Sequence, residues 1–439
     1  MKRIISLLII VILCFSMLSS CMPNLKKYII EYASTKTEIT EEIYEDEEFV
    51  SFLNKMNSFA LEMTSSIANS SASNDNYCIS PVSIYMSLAI ACECSNGQTK
   101  QEILDALGIT YEQMKEYTKY YYALYNKEYT YVDSYGTIHT SAHEQLANSL
   151  WLNSNVVYNQ GCINTLTHDY NCDTFSISYA DGTAGKIINQ YIEYKSHSIA
   201  KGDVKLSKST DFSIISLYHL KEIWNEFGRN ITLSFENYDF TNSDKGTVSK
   251  NLLKSTYSQG VEYRTVRYST FYIETEHGYK LYFVVPNGDN SLKDVFTQNT
   301  ISKILKKTDY GFIDHANQKL KYTRVLFPQV GVSFSGDISG NLQNDFNIKS
   351  LFDKERCDFS MLTSNTVFCN NFIHKATMNL DSKGIEGATI DLGQSDKAEA
   401  ELPNYEKEYH EFVINRAFGF VLTDADGLIL YVGEVNTIK

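Results

Sequence analysis

The histidine and cysteine side chains of this sequence are the ones suited to acid–base, nucleophilic or metal chemistry. His143 and Glu144 begin like the helical zinc motif, in which a second histidine follows four residues after the first. Ala147 stands where that second ligand is needed, so the motif fails. The nine histidines are scattered along the chain, and we interpret each imidazole as a surface group or a hydrogen-bonded core group.

The glycine-rich and nucleophile signatures of common enzymes do not occur in the sequence. There is no Gly-x-Ser-x-Gly elbow, no Walker-type loop and no Gly-x-Gly-x-x-Gly fingerprint. A cysteine–histidine hydrolase stays open as an alternative, although no motif supports it. We therefore expect a protein that is not an enzyme and that needs neither a metal nor another cofactor.

One cysteine lies in a sequence context typical of covalent lipid attachment. Lys2 and Arg3 precede an apolar stretch from Ile4 to Met17, and Leu18-Ser19-Ser20-Cys21 follows it. This ending resembles the bacterial lipobox, in which the cysteine is acylated and becomes the mature N-terminus. An ordinary secretory peptide with an incidental cysteine is the alternative. We predict a signal peptide over residues 1–20 and an exported domain that is anchored to the cell membrane through Cys21 and faces outward, or that is extracellular after release.

The remaining cysteines form no recognisable framework. Nine cysteines include Cys14 in the apolar stretch and Cys21 at its end, which leaves an odd number in the folded part. No Cys-x-x-Cys pair occurs, so a complete set of disulfides or a zinc site is not expected. Cys92 and Cys94 are two residues apart on a predicted helix and would point away from each other.

Composition limits the class of partner. Hydrophobic residues make up 43% of the 439 residues and charged residues 21%, which is enough apolar material for a packed core. The formal net charge is −14, which opposes binding to phosphate backbones. We therefore expect a globular monomer that does not bind nucleic acid.

The periodicity of apolar residues places the start of the domain near residue 49. Residues 21–48 are polar and end in an acidic run, which predicts a solvated tether. From Phe49 onward the apolar residues fall at three- and four-residue steps, as on an amphipathic helix. A predicted capping box at Thr99 and Glu102 starts a further helix, and Gly108 ends it.

Strand patterns dominate the later part of the chain. The runs Tyr282 to Pro286, Tyr322 to Pro328 and Leu428 to Val435 are rich in β-branched and aromatic residues and predict strands. No repeat and no Pro- or Gly-rich linker divides the region after Phe49. Residues 49–439 are therefore predicted to form one α+β domain.

Several separated segments share a sequence order with one known family. They are Asn76 to Ile84, Ala147 to Leu152, Ile188 to Ile192, Ile214 to Phe227 with Trp224, His374 to Thr389, Phe412 to Phe420 and Ile429 to Val435. In composition and order they resemble the motifs of the serpins, across essentially the whole of residues 49–439. The resemblance implies the serpin fold, with helices, three β-sheets, a large central sheet and an exposed reactive-centre loop.

The segment after His374 resembles the serpin hinge, which leads into the reactive loop at about residues 384–411. The resemblance assigns to the hinge Gly384, Ile385, Glu386, Gly387, Ala388 and Thr389. It implies a suicide inhibitor of serine endopeptidases, with cysteine endopeptidases as a second target class, that inserts its cleaved loop into the central sheet. The family spacing places the reactive bond at Ala398 and Glu399, for an elastase- or subtilisin-like protease. The neighbouring Lys397 would instead suit a trypsin-like protease.

Two residues depart from the hinge pattern. Asp391 falls on the face that would enter the sheet, where an unpaired carboxylate is costly, and Ile385 replaces the usual Thr or Ser. The alternative function is therefore a non-inhibitory serpin, a binding or surface protein that is only cleaved as a substrate.

The resemblance also assigns residues that control opening of the sheet. Ser80, Ser83 and His374 match the hydrogen-bonded cluster known as the shutter, and Ser216 stands where that cluster has Asn. Trp224 matches the tryptophan of the breach, the upper end of the sheet. The shorter Ser216 side chain predicts a water or a looser shutter.

Overall fold

The computed structural model describes residues 25–33, 37–70, 75–132, 136–198, 204–225, 231–257, 263–306, 313–314, 319–369, 372–385 and 406–439. Within these ranges the helices are α1 (Glu47–Ser70), α2 (Pro81–Cys94), α3 (Gly97–Leu107), α4 (Tyr111–Leu124), α5 (Gln160–Asp169), α6 (Ala184–Lys195), α7 (Leu292–Val295), α8 (Gln298–Leu305) and α9 (Ser339–Asn344). Two 3₁₀ helices cover Glu41–Glu45 and Ser350–Phe352.

The strands are distributed over the whole described chain. They are β1 (Ile29–Glu31), β2 (Tyr77–Ile79), β3 (Glu128–Val132), β4 (Ile138–Asn153), β5 (Cys172–Ile177), β6 (Phe212–Ile223), β7 (Thr232–Thr241), β8 (Thr247–Tyr257), β9 (Tyr263–Arg264), β10 (Tyr268–Glu274), β11 (Lys280–Pro286), β12 (Ile313–Asp314), β13 (Lys319–Phe327), β14 (Val330–Asp337), β15 (Ile373–Leu380), β16 (Gly384–Ile385), β17 (Glu406–Val413), β18 (Phe418–Thr423) and β19 (Ile429–Val435).

These strands form three sheets. The main sheet has eight strands in the order β1-β5-β4-β6-β16-β15-β14, with β3 paired to β4. The second sheet has the order β2-β19-β18-β11-β10-β9, and the third the order β12-β13-β8-β7 with β17 on β13. The predicted α+β class with three sheets and one large central sheet is confirmed. The strands predicted at residues 282–286, 322–328 and 428–435 correspond to β11, β13 and β19.

Helix α2 lies in the middle of the core. Every residue of Pro81–Cys94 is buried, which is expected for a helix that is apolar around most of its circumference. It contacts both β6 of the main sheet and β19 of the second sheet. Pro81 occupies the first turn, where its missing N–H costs no hydrogen bond, and Ser80 precedes it.

The capping box predicted at the start of α3 is wrong. The helix begins at Gly97, with Asn96 at the N-cap, so Thr99 lies inside the first turn. The Thr99 hydroxyl accepts from the backbone N–H of Asp358 at 3.0 Å. The Glu102 carboxylate accepts from the backbone N–H groups of Lys349 and Ser350 at 2.8 and 2.6 Å. Both side chains therefore hold a segment far away in sequence, while the predicted end at Gly108 is confirmed by its left-handed backbone.

The segment expected to be a solvated tether is partly folded against the domain. Leu25 is buried, and β1 pairs with β5 with Ile29 opposite Phe175. Asp46 caps α1, because its carboxylate accepts from the N–H groups of Glu48 and Phe49. Ordered contacts therefore begin before residue 49, and the acidic run at 41–48 contributes a helix cap.

Candidate functional site

The first two residues of the predicted hinge, Gly384 and Ile385, already occupy a strand position in the main sheet. Gly384 lies opposite Ile223 and Ile385 opposite Glu222 in β6, and Ile385 also lies opposite Leu380 in β15. Both residues are buried, and Ile385 is 1% exposed. Glu386, Gly387, Ala388, Thr389 and Asp391 lie outside the described residues, as do Cys21 and the reactive-bond residues Lys397, Ala398 and Glu399.

Strands β6 and β15 lie on the two sides of β16 and continue past it, away from Ile385. Both strands run antiparallel to β16, so they are parallel to each other. In the described parts of the chain no ladder joins β6 directly to β15, and β16 is the link between them. At the far end of the same two strands, a cavity of about 150 Å³ is lined by Phe212, Ser213, Phe372 and Ile373. We call the space between these two ends the interstrand slot.

The turn that leads into β16 is held by Trp224 and Asp381. The buried indole N–H of Trp224 donates to the carbonyl oxygen of Asp381 at 3.0 Å. The Trp224 backbone N–H donates to the carbonyl oxygen of Lys383 at 3.2 Å. The Asp381 carboxylate accepts from the N–H groups of Lys383 and Gly384 at 2.8 and 3.1 Å. Trp224, which the resemblance assigns to the breach, thus contacts the turn that leads into β16. Asp381 is a contributor that the sequence did not single out.

The close contact with the β6 backbone requires a glycine at position 384. A Cβ atom built on this residue would overlap the carbonyl oxygen of Glu222 and approach the Cα of Ile223 at 2.9 Å. Both atoms belong to the backbone, so no side-chain rotation relieves the overlap. The hinge therefore fits beside β6 because its first residue has no side chain.

A buried carboxylate lies beside the hinge. The Glu222 side chain is fully buried, and one of its oxygens is 2.7 Å from Nδ1 of His277. Its other oxygen lacks a hydrogen-bond partner among the described residues. Burial raises the pKa of Glu222, and the hydrogen bond with His277 offsets part of that rise. Sequence reasoning missed this residue, although its place between Leu220 and the apolar pair Ile223-Trp224 was a signal.

The structure brings most of the predicted shutter together between α2 and β15. The Ser80 backbone N–H donates to Nε2 of His374 at 3.1 Å, and the Ser83 hydroxyl donates to the Ser80 carbonyl oxygen at 3.1 Å. Ser216 does not share these bonds, because its hydroxyl donates to the side-chain oxygen of Asn148 on β4 at 2.6 Å. The Asn148 amide group in turn donates to the Tyr170 carbonyl oxygen at 3.1 Å. The Ser216 hydroxyl therefore bonds to the neighbouring strand β4 of the main sheet. The water or looser shutter expected there stays a prediction.

We predict that His374 makes the folded protein sensitive to acid. Burial lowers the pKa of His374 to about 3, and its Nε2 must stay unprotonated to accept from Ser80. The unfolded chain takes up this proton below about pH 6.5, so this contribution to the free energy of unfolding decreases as pH falls from 6.5 towards 3.

Denaturant unfolding of the wild-type protein and of His374→Gln at pH 8, 6.5 and 5 measures this effect. The stability advantage of the wild-type protein should be largest at pH 8 and should shrink below pH 6.5. Other titrating groups are common to both proteins and cancel in the difference. An equal difference in the free energy of unfolding between the two proteins at all three pH values would contradict the assignment.

No helix in the described ranges is long and apolar enough to cross a membrane.

The comparisons with known proteins agree with the motif order. The family model described as serpin (serine protease inhibitor) matches residues 54–438. Serpin-Z4 of Arabidopsis thaliana is 21% identical over 83% of this chain and 92% of its own length. Among solved structures, human thyroxine-binding globulin complexed with thyroxine aligns with a TM-score of 0.70 and 19% identity, covering 89% of this chain and 99% of that chain. The native thermophilic serpin tengpin aligns with a TM-score of 0.71 and 16% identity, covering 94% and 99%.

Proposed function

Because this chain belongs to the serpin family, we propose that it is a suicide inhibitor of serine endopeptidases that inserts its cleaved loop into the interstrand slot. A protease attacks the reactive loop and forms an acyl-enzyme. The freed loop then enters the main sheet as a new strand before deacylation. Roughly 14 inserted residues at about 3.3 Å each would carry the protease on the order of 45 Å, towards the opposite end of the sheet.

The observation that carries this proposal is the position of Gly384 and Ile385. They lie between β6 and β15 in antiparallel register with both strands, at one end of a slot whose other end opens into a cavity. A loop that continued from Ile385 along β6 would pair residue by residue with the facing edges of the two strands. Each added ladder hydrogen bond contributes about 1 kcal/mol, so a full strand would contribute on the order of ten.

The Ile385 departure is compatible with this proposal. Its side chain is buried in the main sheet, so the sheet accommodates an isoleucine where the family usually has Thr or Ser. Asp391 would follow on the same face in an inserted strand, because side chains alternate with a period of two. Its carboxylate would need a proton or a hydrogen-bond donor to enter the core.

The alternative is a serpin that binds a ligand and is only cleaved by proteases. Human thyroxine-binding globulin aligns over 89% of this chain, and its structure contains thyroxine. An inhibitor and a binding protein of this family share the fold. The two functions differ after cleavage, because an inhibitor traps the protease and a binding protein releases it.

We predict that an inhibitory protein forms complexes that survive denaturing gels. The full chain would be incubated with trypsin, pancreatic elastase, subtilisin and a papain-like protease. A covalent band at the summed mass of chain and protease supports inhibition. Cleavage without such a band supports the alternative, and hydrolysis of the protease substrate by the chain alone would indicate an enzyme.

A matched pair of hinge variants sharpens this experiment. In an inserted strand Thr389 would share the inward face of Ile385, whereas Ala388 would face outward. Thr389→Arg should convert trapping into plain cleavage, because an arginine cannot be buried there unpaired. Ala388→Arg carries the same charge and should still form complexes. Equal trapping by both variants would contradict insertion in this register.

The target class depends on which bond is cut. Cleavage between Ala398 and Glu399 would point to elastase- or subtilisin-like proteases, and cleavage after Lys397 to trypsin-like ones. Mass spectrometry of the cleaved chain identifies the bond.

We also propose that acylation of Cys21 holds the inhibitor on the outer face of the membrane, where it would meet exogenous proteases. Cys21→Ser should release it into the medium.

A further inference from the structure

Three histidines that are far apart in sequence meet on one face of the main sheet. His143 belongs to β4, His219 to β6, and His197 follows the end of α6. One ring nitrogen from each lies within 4.8 Å of the other two. Nε2 of His143 is 2.9 Å from Nδ1 of His219. Sequence reasoning treated the histidines as scattered, and the failed motif at His143 and Glu144 lies on a strand rather than on a helix.

Strand pairing and the end of α6 explain why these side chains converge. His143 lies opposite Lys221, and Gln145 lies opposite His219, so the two histidines are diagonal neighbours on the same face. His197 has a φ of 50° and Ser198 a φ of 68°, so the chain turns in the left-handed region directly after the helix. The His197 ring then stands 4.9 Å from the His143 ring and 5.1 Å from the His219 ring, measured between centroids.

The cluster has the composition and spacing of a metal site. Metal–nitrogen bonds of about 2.0–2.1 Å in a tetrahedral site place the nitrogens about 3.3 Å apart. His143 and His219 are already near this separation, and the exposed His197 needs to move by about an ångström or two to reach it. We propose that His143, His197 and His219 bind one divalent transition-metal cation of the zinc class, with a fourth position open to water.

The electrostatics of the cluster favour neutral imidazoles. Burial, together with the neighbouring histidines and Lys221, lowers the pKa of His143 to about 4. Burial and Lys221 lower the pKa of His219 to about 4 as well. Neutral imidazole is the form that binds a metal, so binding near pH 7 displaces no proton from these two rings. The positive charge of Lys221 lowers the pKa of His143 and would disfavour a bound cation. The negative charge of Glu128 raises this pKa and would favour a bound cation.

The position of the site determines what a bound metal would do. His143 and His219 lie on β4 and β6, which are on the same side of the interstrand slot. A metal would fasten the end of α6 to these strands without bridging the slot. We therefore expect it to raise the thermal unfolding midpoint and to leave loop insertion possible, so the site is independent of the proposed inhibitory function.

The experiment uses the full chain after removal of metals with a chelator. Calorimetric titration with Zn²⁺ should show one site per chain, and Co²⁺ should give the visible absorption of a tetrahedral ion. His197→Ala should weaken Zn²⁺ binding at least tenfold and abolish the increase in unfolding midpoint. His197 is exposed, so this variant should fold normally.

His168→Ala is the matched control, because His168 is an exposed histidine on α5 outside the cluster. It should bind Zn²⁺ like the wild-type protein. Equal Zn²⁺ affinity of His197→Ala and the wild-type protein, or the absence of stoichiometric binding by the wild-type protein, would overturn the proposal. Neither result depends on whether the chain inhibits a protease.

Discussion

Cutting the chain once between residues 386 and 405 is expected to raise its thermal unfolding midpoint by on the order of 10–20 °C. The reason is that the freed loop would complete the main sheet. In the intact protein β6 pairs with β4 and β16, and β15 pairs with β14 and β16. A strand inserted between them would add roughly ten ladder hydrogen bonds of about 1 kcal/mol each. For a domain of this size each kcal/mol is equivalent to about 1–2 °C.

Calorimetry of the intact and cleaved proteins measures this change. The cut would be made with a small amount of protease, which is then inactivated, and its position confirmed by mass spectrometry. Intact protein incubated with inactivated protease is the control. Identical midpoints for the two forms would mean that the loop does not enter the slot, and the inhibitory proposal would be lost with it.

The cavity at the far end of the slot bears on the path of insertion. Its lining includes Lys205, Leu206 and Ser207, which precede β6, together with the first residues of β6. A loop that fills the slot must pass or displace this segment to reach the end of the sheet. The last few inserted residues would therefore gain less free energy than the others, because they must displace this segment.

The parts of the site that the sequence predicted are those that lie in contiguous motifs. Ser80 and Ser83 are three residues apart at the start of a helix, and the segment after His374 forms a regular strand with alternating burial. Trp224 directly follows the long strand β6. Phe227, the last residue of the segment predicted from Ile214 onward, lies outside the described residues. Local spacing is enough to recognise such segments, because their geometry is set by one helix or one strand.

Long-range contacts were not predictable in the same way. The predicted cap at Thr99 and Glu102 failed because both side chains bond backbone groups about 250 residues later. The histidine cluster depends on the β4–β6 register and on the end of α6, and neither can be read from spacing. Ser216 bonds to Asn148 because Asn148 lies directly opposite it in the neighbouring strand. In each example the partner is fixed by strand register or packing rather than by sequence distance.

Replacing Gly384 by alanine is expected to shift the reaction from trapping towards cleavage. The added Cβ would overlap the Glu222 carbonyl oxygen, so the hinge could not lie beside β6 without moving that strand. Overlap of this kind in a packed region costs about 1–3 kcal/mol. The intact protein already carries part of this strain, because Gly384 lies beside β6 before cleavage. A further strain of about 1–3 kcal/mol during insertion, when a strand packs on both sides, would decrease the insertion rate by roughly 5- to 150-fold. Deacylation, which releases active protease, would then compete more successfully.

The partition between covalent complex and cleaved chain on denaturing gels measures this shift. Gly340→Ala is the matched control, because a Cβ at Gly340 meets no atom within 4 Å. The unfolding midpoint of intact Gly384→Ala shows whether the variant is folded, and a folded variant that is cleaved without being trapped supports the argument. A partition equal to that of the wild-type protein and of Gly340→Ala would show that the hinge leaves its place beside Glu222 before insertion is decided. Insertion would then begin at a residue after Gly384, and the hydrogen bonds of Trp224 and Asp381 would stabilise only the intact protein.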